Sequence, residues 1–291
     1  MFQSKIYTVL FLLFISSSLF AGGGWPQPKG QGYFKLYEWW IVSDQHFTDL
    51  GRIDPNMTTG IFNTSIYAEY GFTNRITGII NAPLYSRSFF NNQVSKTTGE
   101  VITEGESIGS FGDTELGIKY GLTPNKPIAT SASLILGIPL GNDSGGSQGN
   151  LQTGDGEFNQ ILRLDAGTSI PIKAEGVSAY ANVYIGFNNR NNGFSDEFRY
   201  GVEAGVSLFE QKLLLSGRLN AVESLNNGDK GNEVTSTSVF SNNSEFLNIG
   251  GEIAYNINEK FGVSVSYDSA VSGKVILASP SYSVGVFFNL K

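Results

Sequence analysis

The sequence predicts an all-β fold, a single antiparallel transmembrane β-barrel of about twelve strands. Three observations predict it. Long stretches alternate apolar with polar or small residues, short turns alternate strictly with long polar loops, and an export signal precedes a chain with no further apolar run long enough for a helical span. The hairpin Ile108–Gly141 shows the first two together. In its first arm Thr114, Leu116, Ile118 and Tyr120 alternate with Asp113, Glu115, Gly117, Lys119 and Gly121. In its second arm Ile128, Thr130, Ala132, Leu134, Leu136, Ile138 and Leu140 alternate with Ala129, Ser131 and Ser133. Side chains on a strand point to opposite faces with period two, so each arm has one apolar face. A soluble sandwich gives the same alternation. Length separates the two: each arm runs about a dozen residues, where ordinary strands run ~5–6 and membrane-spanning ones ~9–11.

Composition narrows the class further. The 291 residues include 36 Gly, 21 Phe, 13 Tyr and no Cys, with a net charge of −7. Acidity without a Lys/Arg cluster argues against a nucleic-acid partner. The lack of Cys removes disulfides, thiol nucleophiles, thiolate metal sites and a lipoprotein anchor together. A closed barrel supplies the missing stability, because every backbone N–H and C=O finds a partner in the wall.

Residues 1–21 read as a secretory signal peptide. Lys5 is the positive start, Ile6 to Ile15 the apolar core, and Leu19-Phe20-Ala21 the small-residue cleavage site. Residues 22–31, rich in Gly and Pro, form a periplasmic lead-in, and residues 32–291 the barrel. Strands are expected at about 32–43, 60–71, 75–87, 108–121, 127–140, 157–170, 177–188, 197–209, 212–223, 245–257, 260–271 and 279–290. The short connections GFTNR, TPNKP, KAEG, EQK and NINEK belong on the periplasmic side. The long ones centre on Gln45–Thr58, Ser88–Ser107, Asn142–Gly156, Asn189–Asp196, Ser224–Ser244 and Ser272–Ala278, and belong outside. Both termini are then periplasmic.

Register assigns the faces. Tyr282, Val284, Val286, Phe288 and Leu290 share one side of the last strand, against Ser281, Ser283, Gly285 and Asn289; Val183 opposes Asn182 in the same way. The apolar series meets lipid and the polar series lines the lumen. This places Glu69, Asp113, Glu115, Lys119, Arg163, Asp165, Arg199, Glu203, Arg218, Glu252 and Asp268 inside as a polar network of both signs. Such a network serves either as a structural set of ion pairs or as a solute-selecting constriction. A charge facing lipid at the midplane would cost ~2–4 kcal/mol. In the first strand Lys35 and Glu38 fall on opposite faces, so one of them faces outward.

Catalytic and cofactor signals are weak. His46, in SDQHFTDLG, is the sole histidine and stands two residues from Asp44, the spacing of an outer-membrane aspartyl-type protease pair, but no second acidic pair accompanies it. It reads as a surface-loop histidine. The loop GNDSGGSQGNLQTGDGEFN is rich in oxygen ligands, yet its spacing does not match the EF-hand pattern. No phosphate-binding, dinucleotide or nucleophile-elbow motif occurs, so no catalytic residue, metal or cofactor is assigned. Proline lacks the N–H a ladder needs, and Pro83 and Pro139 flank the strand that carries Gly109 and Gly112. These four residues mark either a bend that curves the wall or a lateral seam.

YAEYGFTNRITGIINAPL, GDTELGIKYGLTPNKP and LILGIPLGNDSG together carry a resemblance. They resemble the outer-membrane family of meta-pathway phenol-degradation proteins, itself similar to long-chain fatty-acid transporters. Its turn motif falls at Glu69–Arg75, its strand motif at Gly112–Tyr120 and its strand end at Ile138–Gly141, where this chain has Ile-Pro-Leu-Gly. The resemblance implies a barrel and uptake of hydrophobic small molecules, not an enzyme that degrades phenol. The expected function is an outer-membrane channel or transporter for small hydrophobic solutes. The alternative is a non-transport barrel, either a structural surface protein or a rim-active lipase- or protease-type enzyme. The expected partners are outer-membrane lipid, the barrel-assembly machinery and a small-molecule solute. One departure is the C-terminus, which ends Asn289-Leu290-Lys291 rather than in an aromatic residue.

Overall fold

A computed structural model describes residues 22–229 and 239–291. The sequence of strands is β1 (Gly32–Phe47), β2 (Ile53–Gly71), β3 (Ile76–Phe90), β4 (Gln93–Val94), β5 (Val101–Thr103), β6 (Glu106–Ser110), β7 (Thr114–Gly121) and β8 (Ile128–Ile138). It continues with β9 (Asn159–Ile170), β10 (Ser178–Arg190), β11 (Glu197–Leu208), β12 (Leu213–Ser224), β13 (Glu245–Asn256), β14 (Phe261–Lys274), β15 (Ile276–Leu277) and β16 (Ser281–Leu290). Each wall strand pairs antiparallel with its sequence neighbours. The sheet closes because β1 pairs with β2 on one side and with β16 on the other, from Gly32↔Leu290 to Ile41↔Ser281. With β6 and β7 as two parts of one strand, and β4, β5 and β15 as short accessories, the wall is a closed twelve-stranded antiparallel barrel.

Alternation decides which way each strand faces. Val284, Val183, Ile118, Leu134, Leu162, Val202, Ile253 and Val265 stand on the outside, roughly half exposed, while Ser283, Asn182, Ser264 and Ser133 are buried within. Two aromatic rows border the apolar band. Phe34, Phe288 and Phe261 cluster toward the short-turn end, and Trp40, Tyr282 and Tyr267 cluster six residues further along the same three strands. Aromatic girdles at both interfaces are characteristic of membrane barrels.

Several expectations are corrected. Gln45–Thr58 is not a long loop: the β1–β2 ladder runs on through Phe47↔Ile53 and closes in the five-residue turn 48–52. His46 is therefore a strand residue opposite Asp54 and Leu277, with its Nδ1 buried, rather than a loop histidine. Above the membrane both faces of a strand are solvated, so the alternation that marks a spanning strand fades. Within Ser88–Ser107 a small hairpin, β4–β5, forms, and β6 begins before the stretch ends. β8 stops at Ile138, one residue short of Pro139. Of Ser224–Ser244, residues 230–238 lie outside the described residues, as does the expected signal peptide, residues 1–21.

The segment 22–31, expected as a periplasmic lead-in, lies inside the barrel for much of its length. Gly24 N–H donates to Asn182 Oδ1 (3.0 Å), Ser131 Oγ to Gly23 O (3.3 Å) and Gln27 N–H to Thr77 Oγ1 (2.7 Å). The Trp25 ring lies where a side chain on Gly167 would stand, within 2.5 Å of the Cβ position. Lys29 and Gly30 reach the rim, bonded to Asn74 and Gly71 of the β2–β3 turn.

Candidate functional site: the lumen and its charged wall

β1 puts Tyr33, Lys35 and Tyr37 inward on alternate residues. Lys35 Nζ reaches across to Glu252 on β13 at 2.6 Å, and Tyr37 O–H donates to Asn81 on β3 at 2.9 Å. Glu38, on the opposite face, points outward between Phe34 and Trp40. There Thr64 O–H donates to its carboxylate at 2.6 Å, so the outward charge has a partner on the next strand.

Of the eleven residues assigned to the lumen, Glu252 pairs with Lys35 and Asp113 stands apart, and the other nine fall into four groups. Near the short-turn end Glu69 is almost wholly buried and accepts from Tyr67 O–H (2.5 Å), Gln27 Nε2 (3.2 Å) and Lys119 Nζ (3.3 Å). In the middle, Arg163 forms a double hydrogen bond with Asp165 two residues along its own strand, and its guanidinium stacks 3.9 Å from the centre of the Tyr184 ring. Glu115 joins this region through Asn81. On the far wall Arg218 pairs with Asp268, with Nε at 2.8 Å, while Glu203 accepts from Tyr180 O–H at 2.6 Å. Toward the long-loop end Arg199 binds Glu197 at 2.6 Å. Cations and anions thus satisfy each other across and along the wall, as charges removed from bulk water must.

Asp113 does something different. It sits in the break between β6 and β7 and accepts from the backbone N–H of Gly141 (2.9 Å) and of Asp155 (2.7 Å), both in the β8–β9 connection. Thr153 O–H donates to Phe111 O in the same place. The connection 139–158 therefore packs against β6, which has no ladder partner on its β8 side. Arg190 extends this cluster, bound to Asp155 (2.7 Å) and Glu197 (2.9 Å).

The break has a local cause. Pro83 O accepts from Gly112 N–H at 3.0 Å. A strand residue directs its N–H and C=O to the same side, so the N–H that proline lacks would have faced this break. Gly112 packs so closely on the Pro83 ring that a side chain there would come within 2.7 Å of it. Of the four expected seam residues, Pro83 and Gly112 touch; Gly109 lies opposite Arg87 with its face on Tyr85, and Pro139 follows the last rung, Thr114↔Ile138.

Sequence reasoning did not assign several lumen residues: Lys35, Arg190, Asp155, Glu197, the tyrosines 33, 37, 67, 180 and 184, and Gln27. Lys35 was visible as one of a pair on opposite faces. Arg190 was hidden because its strand runs past the expected boundary.

Two cavities remain beside the N-terminal segment. The larger, about 390 Å³, is bordered by Gly22, Trp25, Tyr33, Tyr37, Tyr67 and Tyr180 together with Lys35, Glu203, Arg218 and Glu252. The smaller, about 140 Å³, lies toward β7–β9.

The family described as "Putative MetA-pathway of phenol degradation" matches residues 52–278, more than three quarters of the chain. The chain belongs to this family. Its architecture is also similar to a solved structure, the COG4313 outer membrane channel from Pseudomonas putida F1, at 13% identity and a TM-score of 0.56, covering 94% of this chain and 99% of that one. The NanC porin follows at 8% identity and a TM-score of 0.47, covering 88% and 98%. The CymD monoaromatic hydrocarbon channel follows at 10% identity and 0.38, covering 91% and 89%. No curated protein matches the sequence. For this family member the shared architecture is the barrel.

Proposed function

We propose that this protein is an outer-membrane channel for small, largely hydrophobic solutes, and not an enzyme. The observation that carries the reading is the larger cavity, where aromatic rings from Trp25, Tyr33, Tyr37, Tyr67, Tyr180 and Phe287 stand among a few fixed charges. Ring faces favour a flat apolar body, while phenol hydroxyls and the Lys35, Glu203 and Arg218 heads offer hydrogen bonds to one polar group. A cavity of about 390 Å³ admits a small molecule and not an oligomer. The outward Val, Ile and Leu band and its two aromatic girdles support a place in a bilayer, with the short turns on the periplasmic side.

The test uses refolded protein in lipid. Single-channel recording should give a small conductance, and liposomes containing the barrel should swell faster with a small aromatic solute than with a disaccharide. Folded protein should migrate differently on a gel before and after boiling. Liposomes that take up neither solute would overturn the channel reading in favour of a structural surface protein.

A second reading concerns the route out. The gap between β6 and β8 supports a lateral seam at Pro83, Gly109, Gly112 and Pro139, through which a hydrophobic solute leaves the lumen for lipid. A kinship with long-chain fatty-acid transporters would imply the same route. Cysteines at Phe111 and Leu140, both exposed on the outer side of the gap, would close it when cross-linked. Uptake of the aromatic solute should then fall while ion conductance persists. Unchanged uptake across a verified cross-link rejects the seam.

A further inference from the structure

Acids outnumber bases in the lining of the smaller cavity, with Arg199 beyond it also bearing on Glu115. The cavity wall holds three carboxylates, Glu69, Glu115 and Asp165, against two cations, Lys119 and Arg163. Glu69 is the most deeply enclosed of these acids. Gly22 borders both cavities, and among the described residues a Cβ built on it would meet a single group within 4 Å, Glu69 Oε1 at 3.9 Å.

The residues after it are fixed in place. A side chain on Gly24 would strike backbone, Ala129 O at 2.2 Å and Gly167 N at 2.7 Å. One on Gly23 would strike the Asn182 amide at 2.5 Å, in a backbone conformation (φ +65) that favours glycine. Hydrogen bonds from Ser131 and to Asn182 hold the same two residues. Of the three glycines only Gly22 has room for a side chain among the described residues, and the space it looks into holds Glu69. The sequence independently places the export cleavage at the Ala21–Gly22 bond, after a Leu-Phe-Ala site.

We propose that cleavage after Ala21 leaves the α-ammonium of Gly22 inside the lumen, as a second cationic partner of Glu69, and that this terminal charge helps set the ion selectivity of the passage. Hydrolysis of the Ala21–Gly22 bond by the export peptidase takes up one water, leaves a carboxylate on the departing peptide and a protonated amine on Gly22. The reaction thus turns a neutral amide into a positive charge. An α-amino group titrates near 7.7–8.0 in the open, and a carboxylate neighbour favours its charged form. Next to the fixed Gly23 and Gly24, it is a cation positioned by backbone rather than by a long side chain.

The experiment uses barrel purified from outer membranes. Mass spectrometry should read a mature chain beginning Gly-Gly-Gly-Trp. A small amine-selective reagent at neutral pH should label the α-amine at least about tenfold more slowly in the folded barrel than in the urea-unfolded chain. Converting the α-amine to a carbonyl by transamination before refolding should move the reversal potential in a KCl gradient toward cation selectivity. Glu69→Gln should move it toward anions and should raise the labelling rate. A chain beginning elsewhere, an α-amine as reactive folded as unfolded, or a transaminated barrel with the native reversal potential would each overturn the proposal. Only the reversal-potential arm rests on the channel reading. If the barrel does not conduct, that reading fails, and the labelling ratio by itself still decides where the amine lies.

Discussion

The wall between β11 and β12 and the wall around β6 and β7 are made from strands of similar sequence but are held differently. β11 and β12 share rungs along their full length, from Glu197↔Ser224 to Leu208↔Leu213. β7 and β8 share rungs only from Gly121↔Ser131 to Thr114↔Ile138, after which β6 is bonded on its β3 side alone. In the first region backbone satisfies backbone. In the second, a proline withdraws a donor and one carboxylate, Asp113, takes up the N–H groups of a connecting loop. An unpaired backbone group in or near lipid is expensive, so a barrel can open a gap in its ladder only where side chains and a folded loop take over the hydrogen bonding. The wall's weak point is therefore also its most specific one.

Four substitutions break or sharpen this contrast. The largest effect belongs to the continuous wall. Val284→Arg, on the lipid face, should destabilise by ~2–4 kcal/mol if the site lies near the midplane. Ser216→Arg, which faces the larger cavity, should fold normally and lower the conductance. Equal losses of stability in urea titrations of the two lipid-embedded proteins would mean that the faces are exchanged. At the gap, Asp113→Ala removes a charged acceptor whose hydrogen bonds contribute about 1.5–3 kcal/mol. Limited proteolysis should then cut first between Gly141 and Asp155 while the barrel strands stay intact. A cleavage pattern like that of the unsubstituted protein would show that the loop is held by something else. The smallest effect is expected at Glu38. Glu38→Leu loses one hydrogen bond from Thr64 to a carboxylate, about 1.5–3 kcal/mol, and gains apolar surface toward lipid that offsets most of it, so stability should change by less than ~1 kcal/mol. A loss well above that, by the same urea titration, would mean that Glu38 engages a partner beyond Thr64.

How much of this was legible in the sequence follows from where alternation is enforced. Between the aromatic rows one face meets hydrocarbon, so Tyr282 to Leu290 and Val183 to Asn188 could be read residue by residue. Outside the membrane that pressure ends, and Gln45–Thr58 reads as a loop although Gln45, His46 and Phe47 pair with Pro55, Asp54 and Ile53. Lumen charges on well-patterned strands, such as Arg163 and Glu203, were legible from register alone. Some pairings were not: Arg218 meets Asp268 across Gly250 of the strand between them, and Lys35 reaches Glu252 over two intervening strands, neighbours that only the register of the sheet defines. Nor could Gly-Pro spacing tell that residues 22–31 turn inward. The nearest signal was the run Gly22-Gly23-Gly24, whose lack of side chains lets the backbone pass within contact of Ala129 and Gly167.

The closing rungs between β1 and β16 join residues from opposite ends of the chain, Gly32 to Leu290. No shorter nascent chain can make them, so a truncated product would enter the bilayer with two raw edges and no remedy. The inward segment 22–31 is continuous with the strand that makes this last junction. One strand, β1, thus carries both the closing junction and the enclosed segment, so a fault in that strand would cost the ring its closure and the lumen its filling together.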